Sequence, residues 1–164
     1  MKLYAVGKPL RNPYLDRWIG EIREYFGVEI INSVGAAKAM LRLLRKNNMV
    51  GILADQRARQ RDAVTINFFG HPAPTLATPA FFALKTGAAV IPVSHRRDGN
   101  VHHITAHPAF EITETGDMKE DIVVNTQRFH QFLEDEIRKD PAQWFWIHRR
   151  WQRREGHKRR HRRK

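Results

Sequence analysis

The residues best placed to do chemistry follow an apolar run in the first half of the chain. Asp55 and Gln56 come directly after residues 49–54, which predict a buried strand, and the loop that follows contributes three arginines, Arg57, Arg59 and Arg61. Sites in open α/β sheets gather beyond the carboxyl ends of the strands. The pattern favours a polar site for an anionic substrate, with Asp55 orienting its partners. The alternative is that Asp55 only caps the loop and the arginines are solvated.

Arg23 is a second candidate, on the first predicted helix. That helix carries apolar residues at helical spacing: Leu15, Trp18, Ile19, Ile22 and Phe26. Arg23 lies at the border of this stripe, about 80° from its centre. An arginine there can lay its stem on the core and turn its guanidinium toward a cleft. An ordinary arginine with a solvated head is the alternative.

The histidines give weaker signals. His130 and Asp135 have the spacing of a His-x4-acid string, but five residues of helix separate them by about 140°, so they do not face one another. His102 points to the opposite side of a predicted strand from His103 and His107, and no third ligand is visible. We therefore predict no metal and no cofactor. The sequence has no cysteine, which excludes disulfides and thiolate nucleophiles.

The end of the chain is rich in aromatic and basic residues. Residues 143–151 read QWFWIHRRW. Residues 149–164 hold ten Lys/Arg and one Glu, so they contribute +9 of the chain's net charge of +12. Interleaved tryptophan and cations are typical of a membrane interface and also of RNA-stacking surfaces. A buried aromatic element is the third interpretation. A basic tail attracts any polyanion, nucleic acid included.

Strand-like and helix-like segments alternate along the rest of the chain, which predicts an α/β fold with a mixed, mostly parallel sheet flanked by helices. No run of about 18 apolar residues exists, so we expect membrane contact to be peripheral. The strands are predicted at 3–6, 28–31, 49–54, 64–69 and 88–94, with one or two more within 101–112. The helices are predicted from Asn12-Pro13 to before Gly27, after Ser33, over 78–86, and from Asp117 to about Lys139. Residues 70–72 are predicted to form a turn.

Several strings in this order resemble the C-terminal part of the lipid A biosynthesis lauroyl/myristoyl acyltransferase family, within the lysophospholipid acyltransferase superfamily. They are KP (8–9), NPYLD (12–16), GILADQ (51–56), FFG (68–70), APT (73–75), GAAVIP (87–92) and PAQWFWIHRRW (141–151). The last is quite specific, and the others are strong only together. We assign residues 1–152 to an acyltransferase-like domain and residues 153–164 to a basic, disordered tail.

The resemblance implies transfer of an acyl chain, from acyl carrier protein or acyl-CoA, to a hydroxyl of a phosphorylated glycolipid at the cytoplasmic face of the inner membrane. By motif position, Arg23 and Asp55 are the catalytic candidates, and Arg23 would bind phosphate or carboxylate through its fork. The predicted substrate-binding residues are Gln56, Arg57, His148, Arg149 and Arg150.

One departure from the family concerns its base. The family's His-x4-Glu motif and N-terminal membrane helix precede the Asn-Pro string, whereas here Met1 stands eleven residues before Asn12. We expect a fragment, a misassigned start or a split gene product, with little or no activity of its own. The other hypotheses are a basic nucleic-acid-binding module and a non-catalytic peripheral membrane module.

Overall fold

A three-stranded parallel sheet lies in the first third of the molecule. A computed structural model describes residues 1–7, 10–32, 35–58 and 62–151. β1 (Leu3–Gly7) is the central strand, between β2 (Val28–Asn32) and β3 (Met49–Gly51). α1 (Pro13–Tyr25) connects β1 to β2, and α2 (Ala36–Arg45) connects β2 to β3. These are the strand–helix–strand crossovers that parallel strands require.

The two faces of this sheet differ in how well they are covered. On one face, α2 and α3 (Thr78–Thr86) pack a small core in which Met40 and Phe82 are buried against Ile31 and Val50. On the other face Ile30 and Met49 are exposed, and none of the thirteen residues of α1, all of them described, is buried. We call this second side, with the apolar stripe of α1, the open face.

Two antiparallel hairpins and one long helix form the rest. β4 (Ala63–Phe68) pairs with β5 (His71–Leu76), and β6 (Val93–Asp98) pairs with β7 (Val101–Ala106). α4 (Met118–Lys139) packs on the first hairpin and on α3, and a 3₁₀ turn (Pro141–Gln143) follows it. The main apolar core is here, around Ile66, Phe68, Ala73 and Ile137, and we call this region the packed block.

A glutamine side chain takes the place of a neighbouring strand on each hairpin. Asn67 donates its N–H to Gln127 Oε1 at 2.8 Å, and Gln127 Nε2 donates back to Asn67 O at 2.8 Å. Arg97 and Gln143 form the same pair of bonds on β6, at 2.7 and 3.1 Å. Each amide therefore fastens α4, or the turn after it, to one hairpin.

The α/β class and most of the predicted elements are confirmed. Asn12 caps α1 by accepting from Tyr14 and Leu15, and Asp117 caps α4 by accepting from Lys119 and Glu120. α3 has the predicted bounds. The predicted cap of α2, Ser33, lies outside the described residues, as do residues 8–9, Arg59, Arg61 and the tail at 153–164.

Three strand predictions were wrong. The strand predicted at 49–54 ends at Gly51. Residues 71–72 were assigned to a turn but begin β5. Prolines are tolerated in β5 because it is an edge strand, in which the missing N–H groups face away from the partner strand. The strand predicted at 88–94 begins only at Val93. The segment before it runs extended beside the chain at 107–110, joined by His107 N–H to Pro92 O and by Phe110 N–H to Val90 O, both at 2.9 Å.

Candidate functional site

Asp55 lies in a short loop beyond the carboxyl end of β3, as predicted, and the loop crosses β5. Arg57 forms a β-bridge with Thr75, and Ala58 N–H donates to Pro74 O at 3.3 Å. These bonds fix the backbone just after Gln56. Asp55 is half-buried, whereas Gln56 is exposed to solvent. The acid is thus held at the protein surface by a well-defined turn rather than by a free loop.

Arg150 lies beneath this loop and is almost completely buried, with 1% of its surface exposed. Its Nη1 donates to Pro74 O at 2.8 Å and its Nη2 to Thr75 Oγ1 at 2.5 Å, and its guanidinium carbon lies 5.0 Å from the centre of the Phe68 ring. Burial lowers the pKa of Arg150 to about 10, and the charge of Asp55 opposes that shift. The negative charge of Asp55 therefore favours the charged form of the buried guanidinium.

His130 approaches the same loop from α4. Its Nε2 lies 3.1 Å from Ala54 O and its Nδ1 lies 2.9 Å from Thr126 O. Burial lowers the pKa of His130, against the effect of the two carbonyls and of Asp55. A neutral imidazole carries one N–H, so only one of the two carbonyls accepts from it at a time. In the described protein, His130 is a tether for the residue before Asp55.

The prediction that His130 and Asp135 do not form a dyad is confirmed. Asp135 is exposed and accepts from Arg138 on the outer side of α4, while His130 is buried toward residue 54. The surface histidines also separate: His102 stacks on His95, and His107 bonds to Ser94. Within the described ranges, no three His, Asp or Glu side chains are arranged to hold a metal ion.

Arg23 reaches the carboxyl end of the neighbouring strand β1. A Cβ built on Gly7, the last residue of β1, would lie 3.5 Å from Arg23 Nη1 and 2.8 Å from Ile30 Cγ2. Gly7 therefore leaves the space in which the guanidinium and Ile30 approach the strand. Because β1 and β3 are parallel neighbours, Arg23 and the Asp55 loop lie at the same edge of the sheet. The catalytic roles of both residues stay predictions.

The aromatic-basic segment is divided between interior and surface. Trp144, Arg150 and Trp151 pack against the core of the packed block, and Trp151 Nε1 donates to Phe68 O at 2.9 Å. Phe145, Trp146 and Ile147 are exposed, as is Arg149, and His148 is half-buried. Part of the segment is thus a core element, and the rest leaves aromatic and cationic groups at the surface.

Sequence reasoning missed the interior partners of the Asp55 loop. Arg150 was predicted to bind substrate, but its donors point into β5, so its placement favours a role in supporting the loop; its binding role stays a prediction. Thr75 and His130 were not assigned to the site at all. The signal for Thr75 was its place in the APT string. Nothing in the sequence distinguishes a histidine that reaches residue 54 from one that faces solvent.

The geometry defines an α/β domain with an arginine and an aspartate at the carboxyl edge of a parallel sheet. The family model described as bacterial lipid A biosynthesis acyltransferase matches residues 1–153. The chain belongs to this family.

Relatives agree with this assignment. A phosphatidylinositol mannoside acyltransferase of Mycobacterium tuberculosis is 28% identical over 134 residues, which are 80% of this chain and 41% of that protein. The protein of the same name in Mycolicibacterium smegmatis is 28% identical over 90% of this chain and 48% of its own length. A lipid A biosynthesis acyltransferase of Haemophilus influenzae is 26% identical over 94% and 49%. The chain spans less than half the length of these curated relatives.

Proposed function

We propose that this chain forms the acceptor side of an acyl-transfer site for a phosphorylated glycolipid of the lipid A precursor type. The observation that carries the proposal is the shared position of Arg23 and Asp55 at one edge of the sheet, in a member of an acyltransferase family. The relatives named above carry names for transfer to lipid A or to phosphatidylinositol mannosides. Both names support an anionic, sugar-containing acceptor.

The reaction assigns different roles to the two groups. The acceptor oxygen attacks the thioester carbonyl of acyl carrier protein or acyl-CoA, the C–S bond breaks, and the proton of the hydroxyl ends on the leaving thiol. Arg23 holds a phosphate of the acceptor by paired N–H donors. Asp55 orients a sugar hydroxyl by accepting a hydrogen bond from it. Gln56, Arg57, His148 and Arg149 are the further groups proposed to contact the substrate.

In the part of the chain that the structure describes, His130 is not placed to act as a general base for this reaction. The sequence has no His-x4-Glu string, and His130 is buried with both ring nitrogens facing backbone carbonyls. Loss of a single general base typically costs about 10² to 10⁴ in rate. We therefore propose that the chain alone binds acceptor but transfers acyl groups slowly, and robust turnover by the chain alone would contradict this.

The exposed part of residues 143–151 supports a peripheral position at the cytoplasmic face of the inner membrane. Phe145, Trp146 and Ile147 are exposed next to Arg149, which is a composition suited to the headgroup region of a bilayer. In the described part of the chain, no helix has the length and apolar character needed to span a membrane. Nucleic-acid binding through residues 153–164 stays a prediction, because those residues are outside the described structure.

The experiment is a calorimetric titration of the chain with a phosphorylated glycolipid acceptor and with its dephosphorylated analogue. We expect Arg23→Gln to weaken binding of the phosphorylated acceptor about tenfold or more and to leave the analogue unaffected. Arg17→Gln is the matched control, because Arg17 is on the same helix and pairs with Glu21 in solvent. Equal effects of the two substitutions would contradict the role of Arg23.

A further inference from the structure

We propose that His130, with its proton on Nε2, is a positioning residue that directs the carboxylate of Asp55 toward the acceptor. The inference rests on the proposed function, since it assigns a support to one of the two groups of the same site. Only 3% of the surface of His130 is exposed, so the imidazole acts through the loop that carries Asp55 and not by contact with the acceptor. The contact that carries the inference joins His130 Nε2 to Ala54 O, at 3.1 Å.

The carbonyl of Ala54 belongs to the peptide group that leads into Asp55. The C=O of Ala54 and the N–H of Asp55 lie in one planar unit, so a bond that fixes the oxygen also fixes the start of residue 55. β3 ends at Gly51, and the loop meets β5 at residues 57 and 58. His130 therefore holds the loop directly before Asp55, between these two attachments.

The imidazole of His130 is held from three sides. Thr126 O lies 2.9 Å from Nδ1 and Ala54 O lies 3.1 Å from Nε2. The Phe68 ring meets the imidazole edge to face, with 6.1 Å between the ring centres. Burial lowers the pKa of His130, so the ring is neutral at pH 7 and carries a single N–H. The position of that one proton decides which carbonyl the side chain binds.

The choice between the two ring nitrogens follows from the needs of the two carbonyls. Thr126 O lies inside α4, where the backbone N–H of His130 donates to it in the helical ladder. Ala54 O lies beyond the end of β3, outside any such ladder. A carbonyl that leaves water without gaining a donor is costly. A proton on Nε2 therefore satisfies the carbonyl that has the greater need.

The position of the proton is measured directly on the full 164-residue chain, with no substitution that could unfold it. Heteronuclear NMR spectra of the imidazole rings at pH 7 distinguish a protonated Nε2 from a protonated Nδ1. The chain has nine histidines, and the signal of His130 is the one that disappears in His130→Gln. We expect the proton on Nε2, and a proton on Nδ1 would overturn the proposal.

Two substitutions separate the ring nitrogens in a binding measurement. The side-chain nitrogen of glutamine can occupy the place of Nε2, and that of asparagine the place of Nδ1. His130→Gln therefore keeps a donor to Ala54 O, whereas His130→Asn loses it. In a calorimetric titration with the phosphorylated glycolipid acceptor, we expect His130→Asn to raise the Kd about three- to tenfold and His130→Gln to stay within about twofold of wild type. Equal losses, or a larger loss for glutamine, would contradict the proposal.

A double-mutant cycle tests whether His130 acts through Asp55. In an Asp55→Asn background, His130→Asn should not weaken acceptor binding further, because the carboxylate that it positions is already gone. An additive effect would show a merely structural role and would overturn the proposal. Circular dichroism and thermal unfolding verify that each variant is folded at the temperature of the titration. If the wild-type chain binds no acceptor, the proposed function fails together with this role, whereas acceptor binding with the proton of His130 on Nδ1 overturns this role alone.

Discussion

The packed block buries even charged residues, whereas the open face leaves large apolar residues exposed to solvent. In the packed block, Phe68 is completely buried and even charged residues such as Arg150 and Glu134 lie in the interior. On the open face Trp18 keeps 58% of its surface in contact with solvent, and Leu15 and Ile22 are also exposed. Arg150 and His130, which lie beneath the Asp55 loop, are thus buried within the described part of the chain. The surroundings of Arg23 present an apolar surface of the kind that another surface covers.

Removing one aromatic ring from each region tests this contrast most strongly. We expect Phe68→Ala to lower the free energy of unfolding by about 4 kcal/mol, because it leaves a cavity between β4, α4 and Trp151. Trp18→Ala should cost about 1 kcal/mol or less, since the ring is mostly in water. Urea denaturation of both variants measures the difference. Similar costs would show that the two regions are equally packed.

Arg150 tests whether the packed block depends on its buried cation. Arg150→Met keeps the apolar stem but leaves Pro74 O and Thr75 Oγ1 without their donor and removes the positive charge near Asp55, and we expect a loss of about 3 kcal/mol. Arg149→Met, one residue away and exposed, should change stability by about 0.5 kcal/mol at most. The same denaturation experiment compares them, and a stable Arg150→Met variant would refute the supporting role.

His130 gives a smaller, pH-dependent effect within the packed block. Burial lowers its pKa below the ordinary value of 6.5, so the unfolded chain takes up a proton at a pH where the folded chain does not. The stabilisation that follows from this shift in the pKa of His130 is complete above pH 6.5 and is lost as the pH falls toward the pKa of the folded state. The slope from this one group cannot exceed about 1.4 kcal/mol per pH unit.

The measurement is the free energy of unfolding of wild type and His130→Phe at pH 7 and near pH 5. We expect the variant to lose less stability on acidification than the wild type does. Parallel pH profiles would mean that His130 titrates alike in the folded and unfolded chains.

The local elements were predictable wherever a physical signal is confined to a few residues. Asn12 and Asp117 are short polar side chains that cap helices through their own neighbours, and Gly87 ends α3 with φ +69°, which glycine adopts without strain. β5 was missed because Pro72 and Pro74 argue against a strand, and only the partner strand β4 shows that their missing donors fall on the outer edge.

The candidate site was predictable only at its surface. Arg23 and Asp55 follow from a helical stripe and from a strand end, which are both sequence patterns. The burial of Arg150 was not predictable, because a charged residue in a basic run is solvated unless distant partners accept its donors. Those partners, Pro74 and Thr75, are about half the chain away and are recognisable only once the chain has folded.

The paired hydrogen bonds of Gln127 and Gln143 to the two hairpins have a consequence for solubility. The outer edge of a two-stranded hairpin offers free N–H and C=O groups on which a strand from another molecule can assemble, the first step toward aggregation. Gln127 and Gln143 occupy both groups of Asn67 and of Arg97, which are the second-last residues of β4 and β6. A side chain that ends in one donor and one acceptor thus imitates a peptide group and blocks the growth of an intermolecular sheet at that point.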